Sequence, residues 1–94
     1  MEKVVVLYDE APDPDRYAAH VEFCLRVPGA TFRHGPIFGS PVGESPHVYY
    51  AEFDFPDRAA FKAGVSSPEF AATGADAAAM GRRFSVVFAS VGDA

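Results

Sequence analysis

Two segments near the ends of the chain are apolar on both of their alternating faces, a pattern that few small folds can accommodate. Residues 4–8 read Val-Val-Val-Leu-Tyr, and residues 84–89 read Phe-Ser-Val-Val-Phe-Ala. Residues of this kind favour strands, and a strand with two apolar faces is typical of one that is covered on both sides. A chain of 94 residues has room for one core. What covers the second face therefore constrains the architecture.

The first helix is predicted by its start signals and by an apolar stripe. Asp13 is a favourable N-cap, and Pro14 suits the first helical position, where its missing N–H group costs nothing. The spacing of one helical face then selects Tyr17, His20, Val21, Cys24 and Leu25. Pro28-Gly29 ends the helix. A histidine therefore lies on the apolar side of this helix.

The remaining elements follow from alternation, turn residues and helix start signals. We expect an extended stretch over residues 30–38 and a turn-rich loop over 39–46. A strand follows over 47–55, with Tyr49, Ala51, Phe53 and Phe55 on its more apolar face. After it we expect a helix that begins after Pro56 and carries Phe61, a further helix from Ser67 to about Ala79, and the final strand. Gly92 and the residues after it are expected to fray.

The order of these elements predicts an α+β fold of the ferredoxin-like βαββαβ type. Right-handed crossovers place both helical segments on one face of a four-stranded antiparallel sheet. We therefore expect residues 1–94 to form a single domain with one bare sheet face. Because no sequence remains to build a second layer, a second copy packed sheet to sheet is the economical cover. The sequence thus predicts a homodimer.

Charge and composition limit the partners and the compartment. The net charge of −5 and the lack of a basic stripe argue against binding to nucleic acid. A single cysteine, Cys24, cannot form an internal disulfide, and Met1 leads into a strand without a charged leader, so a soluble cytoplasmic protein is expected. No apolar run approaches the ~20 residues that span a bilayer, and no membrane association is expected.

Motifs for common cofactors are missing from the sequence, which predicts an activity without cofactor or metal. There is no phosphate-binding glycine loop, no paired Cys-x-x-Cys and no His-Glu-x-x-His. His20 and Cys24 are four residues apart on one helical face and invite a metal or a nucleophilic pair. Zinc usually takes at least three protein ligands, however, and a lone buried cysteine is usually a small apolar residue.

The best cluster of titratable groups surrounds the first helix. Tyr17, His20 and Cys24 are joined in this prediction by Tyr8, Tyr49 and Tyr50. A histidine on an apolar stripe is either a satisfied core residue or a proton-transfer group, and an ordinary pKa near ~6.5 suits the second role. We take His34 and His47 as exposed or interface residues, and Glu52 and Asp54 as a solvated strand face rather than catalytic carboxylates.

Several motifs resemble those of the EthD-like family. The stretch Arg16-Tyr17-Ala18-Ala19-His20-Val21, followed by Val27-Pro28-Gly29, is similar to that family's Tyr-x-x-x-His-Val…Ile-Pro-Gly signature, with one residue fewer between tyrosine and histidine. Ala51-Glu52-Phe53 with Ser67-Pro68-Glu69-Phe70 resembles its second half. The family belongs to the dimeric α/β barrel group, which implies two sheets closed against each other and a pocket between sheet and helices in each subunit. By position, only His20 matches a family residue implicated in chemistry, and Glu22-Phe23 replaces the usual Pro-Leu.

Known members of such families include lactone isomerases and cofactor-independent oxygenases or cyclases of aromatic polyketides. A histidine amid aromatic residues, together with this resemblance, favours a cofactor-free enzyme for a small apolar cyclic or aromatic molecule. In this hypothesis His20 is the general acid or base, Tyr17 is the second catalytic residue, and Tyr17, Tyr8 or Tyr49 orients the substrate. The residues expected to contact substrate are Tyr8, Cys24, Tyr49, Phe53 and Phe61. The alternative is a non-catalytic binding or accessory protein that uses the same pocket, and a weaker one is a sheet that serves assembly alone.

Overall fold

A computed structural model describes residues 1–92 and contains four strands and three helices. In chain order they are β1 (Glu2–Tyr8), α1 (Pro14–Cys24), β2 (Thr31–Pro36), β3 (Tyr49–Phe55), α2 (Arg58–Val65), α3 (Pro68–Ala79) and β4 (Phe84–Ser90). The strands form one sheet in the order β2-β3-β1-β4, and every neighbouring pair is antiparallel. The predicted ferredoxin-like α+β fold is confirmed, with the second helical segment divided into α2 and α3.

Each helix begins at a side chain that accepts a hydrogen bond from a free backbone N–H group. Asp13 accepts from the N–H of Arg16 at 2.9 Å, and Asp57 accepts from that of Ala60 at 2.8 Å. Ser67 caps α3 in the same way at 3.1 Å. Caps of this kind typically contribute about 1 kcal/mol each. The start signals in the sequence therefore fix where α1 and α3 lie along the chain.

The core lies between the helices and one face of the sheet. Its buried members are Val4, Cys24, Val27, Phe53 and Phe55, against which side chains of α2 and α3 pack. Helix α2 crosses the sheet closely enough that a Cβ atom at Gly64 would lie 2.2 Å from Cε1 of Phe55. A glycine is required at this crossing because any side chain would overlap the phenylalanine ring.

Some element boundaries differ from the predicted ones. The strand expected over residues 47–55 begins at Tyr49, and the stretch expected over 30–38 is a strand only over Thr31–Pro36. Leu25, placed on the apolar stripe, is 61% exposed because α1 ends at Cys24 and the chain turns away. Residues 93 and 94, part of the segment expected to fray, lie outside the described residues.

The outer face of the sheet, opposite the helices, carries a network of ion pairs. Lys3 lies 3.0 Å from both Glu52 and Asp54, and Arg33 contacts the same two carboxylates. Glu52 and Asp54 are therefore only 8% and 5% exposed. The prediction of a solvated face was wrong for them, because Lys3 and Arg33 reach across from neighbouring strands. Tyr50 also lies on this face, bonded to Glu52 at 2.8 Å, and not in the predicted aromatic cluster.

None of the helices within residues 1–92 combines the length and the apolar character needed to cross a membrane.

Candidate functional site

A mostly apolar cavity of about 140 Å³ lies between the sheet and α3. It is lined by Val4, Val6, Tyr8, His20, Phe53, Phe70, Thr73, Gly74, Ala77, Phe84, Val86 and Phe88. Strand β4 is at the sheet edge, and its cavity-lining residues Val86 and Phe88 stay 46% and 63% exposed. The cavity is therefore accessible from the β4 side, and small apolar ligands suit such a lining.

His20 brings a titratable group into this cavity. The helical spacing that predicted its burial is confirmed, since Tyr17, His20 and Cys24 are the buried residues of α1, and only 4% of His20 is exposed. Its Nδ1 atom lies 2.7 Å from Oδ2 of Asp76 on α3. The side-by-side packing of α1 and α3 thus joins two residues that are 56 positions apart in sequence.

Asp76 is held in place by a second residue of α1. Nη2 of Arg16 donates to Oδ1 at 2.7 Å, and Nη1 donates to Oδ2 at 3.1 Å. Arg16 and His20 are one helical turn apart, so both reach the same carboxylate. The Arg16 guanidinium, with a further contribution from His20, holds the pKa of Asp76 below its ordinary value against the opposing effect of burial. Asp76 is therefore an anion at neutral pH.

The charge on Asp76 determines which ring nitrogen of His20 carries the proton. An ionised carboxylate only accepts hydrogen bonds, so Nδ1 of His20 is the donor in this pair. In the neutral ring the lone pair is then on Nε2, which has no hydrogen-bond partner among residues 1–92. In catalytic triads a histidine oriented by a carboxylate in this way serves as general base through its other nitrogen.

Tyrosines of β1, α1 and β3 form a cluster that contacts His20 through Tyr17. The ring centroid of Tyr17 lies 5.4 Å from that of His20, 5.9 Å from that of Tyr8 and 5.0 Å from that of Tyr49. Burial raises the pKa of Tyr8 to about 12 and also raises that of Tyr17 and Tyr49. At neutral pH these phenols keep their protons and can donate hydrogen bonds.

The predicted site residues fall into three groups. His20, Tyr8 and Phe53 line the His20 cavity. Tyr17 and Tyr49 line a neighbouring cavity of about 200 Å³ beside His34, whose Nδ1 lies 2.7 Å from the Tyr49 hydroxyl. The ring contacts of Tyr17 with His20 and Tyr8 join the two groups.

Cys24 and Phe61 form the third group, placed away from the His20 cavity. Cys24 is 2% exposed in the core, and burial raises the pKa of its thiol to about 12. Phe61 packs edge-on against Phe55 and Phe88, with ring centroids 5.7 and 5.1 Å apart. Neither side chain is among those that line the cavity, so we leave both out of the substrate contacts proposed below.

Asp76 is the residue that sequence reasoning missed. It stands alone as an acid within the sequence Ala-Ala-Thr-Gly-Ala-Asp-Ala-Ala-Ala, and an isolated carboxylate in so apolar a helix was the available signal.

The remaining histidine, His47, pairs with Asp9 at 2.8 Å outside the cavity. Across the part of the chain that is described, no three His, Cys, Asp or Glu side chains group closely enough to hold a metal ion.

Comparison with known proteins identifies the fold. No protein-family model and no curated protein matches this sequence. Among solved structures, an EthD family protein from Bacillus halodurans is 23% identical, with a TM-score of 0.81 over 97% of this chain and 98% of that one. A dimeric ferredoxin-like protein of unknown function from Jannaschia is 24% identical, with a TM-score of 0.73 over 96% and 98% of the two chains.

A more distant structure carries a functional description. SnoaB from Streptomyces nogalater, a cofactor-independent oxygenase, is 19% identical, with a TM-score of 0.60 over 99% of this chain and 95% of that one. Identities this low show similarity of fold. The resemblance to the EthD-like fold, inferred from motifs, is thus confirmed at the level of architecture.

Proposed function

We propose that this chain is an EthD-like, cofactor-independent enzyme that transfers a proton on a small apolar cyclic or aromatic molecule, with His20 as general acid and base. The observation that carries the proposal is the 2.7 Å contact between Nδ1 of His20 and Asp76, in a ring that also lines an apolar cavity. The description of SnoaB as a cofactor-independent oxygenase supports a small-molecule role for this architecture.

In the proposed reaction Nε2 of His20 takes a proton from a substrate atom in the cavity. Asp76 stabilises the imidazolium that forms and holds the ring in one orientation while the proton returns to the same or another atom. General acid–base catalysis of this type contributes about 10²- to 10⁴-fold in rate, enough for an isomerisation or an enolisation.

The aromatic residues around His20 take the supporting roles. We assign Tyr17, whose ring contacts His20, to the catalytic machinery, and Tyr8 and Phe53 to contact with the substrate. Tyr49 packs against both tyrosines and borders the neighbouring cavity, so we place it at the edge of the substrate site. Their aromatic faces suit a flat, apolar ligand.

We further propose that the protein acts as a homodimer whose subunits pack through the outer sheet face. All three helices cover the other face, and Val87 stays 50% exposed on this one. The network of Lys3, Arg33, Glu52 and Asp54 has no net charge, so this part of the face brings no excess charge of one sign to a second identical face. The description of the protein from Jannaschia as dimeric supports this assembly.

The alternative is a non-catalytic protein that holds a small molecule in the same cavity. Only three of the residues that line it, Tyr8, His20 and Thr73, have polar side chains, and the Thr73 hydroxyl already donates to the carbonyl of Phe70. A cavity with so few polar groups binds apolar ligands whether or not chemistry follows.

One experiment separates the two functions. Cyclic ketones, lactones and phenols are incubated with the protein in D₂O, and proton NMR follows loss of carbon-bound hydrogen. We expect the wild type to accelerate exchange in at least one compound and His20→Ala to lose that acceleration by about 10²-fold or more. His47→Ala is the matched control, because it removes a histidine that pairs with an aspartate outside the cavity. Equal exchange by wild type and His20→Ala rejects the assignment, and binding without exchange favours the alternative.

A further inference from the structure

The hydroxyl groups of Tyr8 and Tyr17 indicate the class of ligand that the proposed active site takes. Tyr8 is 1% exposed and Tyr17 is 3% exposed. The Tyr17 hydroxyl is buried and has no hydrogen-bond partner of ordinary geometry within residues 1–92, although the Tyr8 hydroxyl is its neighbour. A buried hydroxyl group without a partner costs free energy, and such a group calls for an explanation.

The side chains of Tyr8 and Tyr17 lie at different distances from the cavity. Tyr8 lines the His20 cavity, whereas Tyr17 lies behind it and packs edge-on against the Tyr8 ring. The Tyr8 hydroxyl is thus the neighbour of the Tyr17 hydroxyl, and Tyr8 itself borders the cavity.

The cavity volume limits the size of what it holds. At about 140 Å³ it is close to the engineered cavity of about 150 Å³ that binds benzene. One six-membered ring fills this volume, and a second fused ring has to project through the opening on the β4 side, past the exposed Val86 and Phe88 side chains. A polar atom on that ring finds partners only at the end where His20 and Tyr8 lie, because the rest of the lining is apolar or already hydrogen-bonded.

We propose that the ligand is a single-ring molecule with one carbonyl or enol oxygen, that Tyr8 donates a hydrogen bond to this oxygen, and that Tyr17 positions Tyr8. This inference rests on the proposed function of His20. Nε2 of His20 removes the proton from the carbon beside the carbonyl, the C–H electrons form a C=C bond, and the carbonyl π electrons move onto the oxygen. Tyr8 stabilises the resulting enolate. The imidazolium returns the proton, so no oxidant or reductant is consumed.

Phenols test this inference because a phenol resembles an enol in a single ring. The dissociation constants of phenol, toluene and 2-naphthol are measured by NMR titration. We expect phenol to bind at least 10-fold more tightly than either toluene or 2-naphthol. Tyr8→Phe is expected to reduce the preference for phenol over toluene to below 3-fold. Tyr50→Phe, which removes a hydroxyl on the outer face, is the control and is expected to keep the preference.

The role of Tyr17 needs a readout that simple packing does not change. Binding is measured for 4-substituted phenols of decreasing pKa, and the slope of log Kd against phenol pKa is compared between wild type and Tyr17→Phe. We expect the slope to change, because a Tyr8 hydroxyl that has lost its own donor is a weaker donor to the ligand. An unchanged slope overturns the role of Tyr17.

Failure of this inference is distinguishable from failure of the proposed function. The exchange experiment compares wild type with His20→Ala, whereas the preference for phenol over toluene is compared between wild type and Tyr8→Phe, so each assignment has its own variant and its own readout. Equal binding of phenol and toluene by the wild type, an unchanged preference in Tyr8→Phe, or tight binding of 2-naphthol overturns the ligand class. None of these outcomes affects the exchange experiment on His20.

Discussion

Nδ1 of His20 lies 2.7 Å from Oδ2 of Asp76, and this contact joins the first helix of the chain to the last. It exists only when α1 and α3 pack side by side on the sheet. The same carboxylate accepts two hydrogen bonds from Arg16, so the orientation of the histidine depends on three residues from two helices. The proposed chemistry is therefore built by tertiary packing.

Replacing Asp76 tests the orientation of His20. Asp76→Asn keeps the size of the side chain but removes the charge that fixes the proton on Nδ1, so the exchange rate is expected to fall by about 10²-fold or more. Circular dichroism checks that the fold is retained. Asp9→Asn, which changes the partner of His47, serves as control. Full activity in Asp76→Asn would show that the carboxylate has no part in catalysis.

Arg16 sets the acid sensitivity of this site. The pKa of Asp76 in the folded protein is below its ordinary value, chiefly because of Arg16. A lowered pKa contributes stability that is complete above the unfolded-state pKa and is lost as pH falls through the folded-state pKa. Arg16→Gln is expected to raise the pKa of Asp76 and to move this loss to higher pH. Carbon-13 NMR titration of the Asp76 carboxylate measures the shift, and an unchanged pKa would contradict the assignment to Arg16.

Gly64 and Gly74 give opposite expectations for the same substitution. A Cβ atom at Gly64 would lie 2.2 Å from the Phe55 ring, which is fully buried, so Gly64→Ala is expected to lower the free energy of unfolding by about 1–3 kcal/mol. An added Cβ at Gly74 would have no atom within 4 Å. Gly74→Ala is therefore expected to raise the free energy of unfolding by about 0.5–1 kcal/mol. Urea unfolding measures both, and a stable Gly64→Ala protein would refute the close crossing.

The proposed dimer is tested on strand β4, whose neighbouring valines face opposite sides of the sheet. Val87 is 50% exposed on the outer face, whereas Val86 is 46% exposed on the helix side. Val87→Asp places an unpaired charge in the proposed interface and is expected to yield monomers in sedimentation experiments at micromolar concentration. Val86→Asp is expected to leave the dimer intact. Dimers of unchanged affinity in Val87→Asp would exclude this face.

The fold could be predicted largely from local signals. The caps at Asp13 and Ser67 lie within three residues of the groups they satisfy, and alternation in β3 placed Phe53 on the helix side, where the structure has it. Such signals depend on neighbours in sequence. Element ends were less accurate, because strand pairing rather than composition decides where β3 begins.

The site could be predicted only in part, because its decisive contacts are not local. The helical stripe identified His20, but the same stripe contains Cys24. Spacing alone does not show that His20 lines a cavity whereas Cys24 is packed in the hydrophobic core. Asp76 was missed because its partner is on another helix. Glu52 was taken as solvated because alternation reveals a strand face but not the Lys3 side chain that covers it.

The protonation state of His20 tests the central claim most directly. Nitrogen-15 NMR of the histidine ring at neutral pH, with and without phenol, reports which nitrogen carries the proton. We predict that in the neutral ring Nδ1 is protonated and bonded to Asp76, that Nε2 is unprotonated, and that phenol shifts the Nε2 resonance. A neutral ring with its proton on Nε2, or an Nε2 resonance that ignores every single-ring ligand, would contradict the assignment of His20 as the catalytic base.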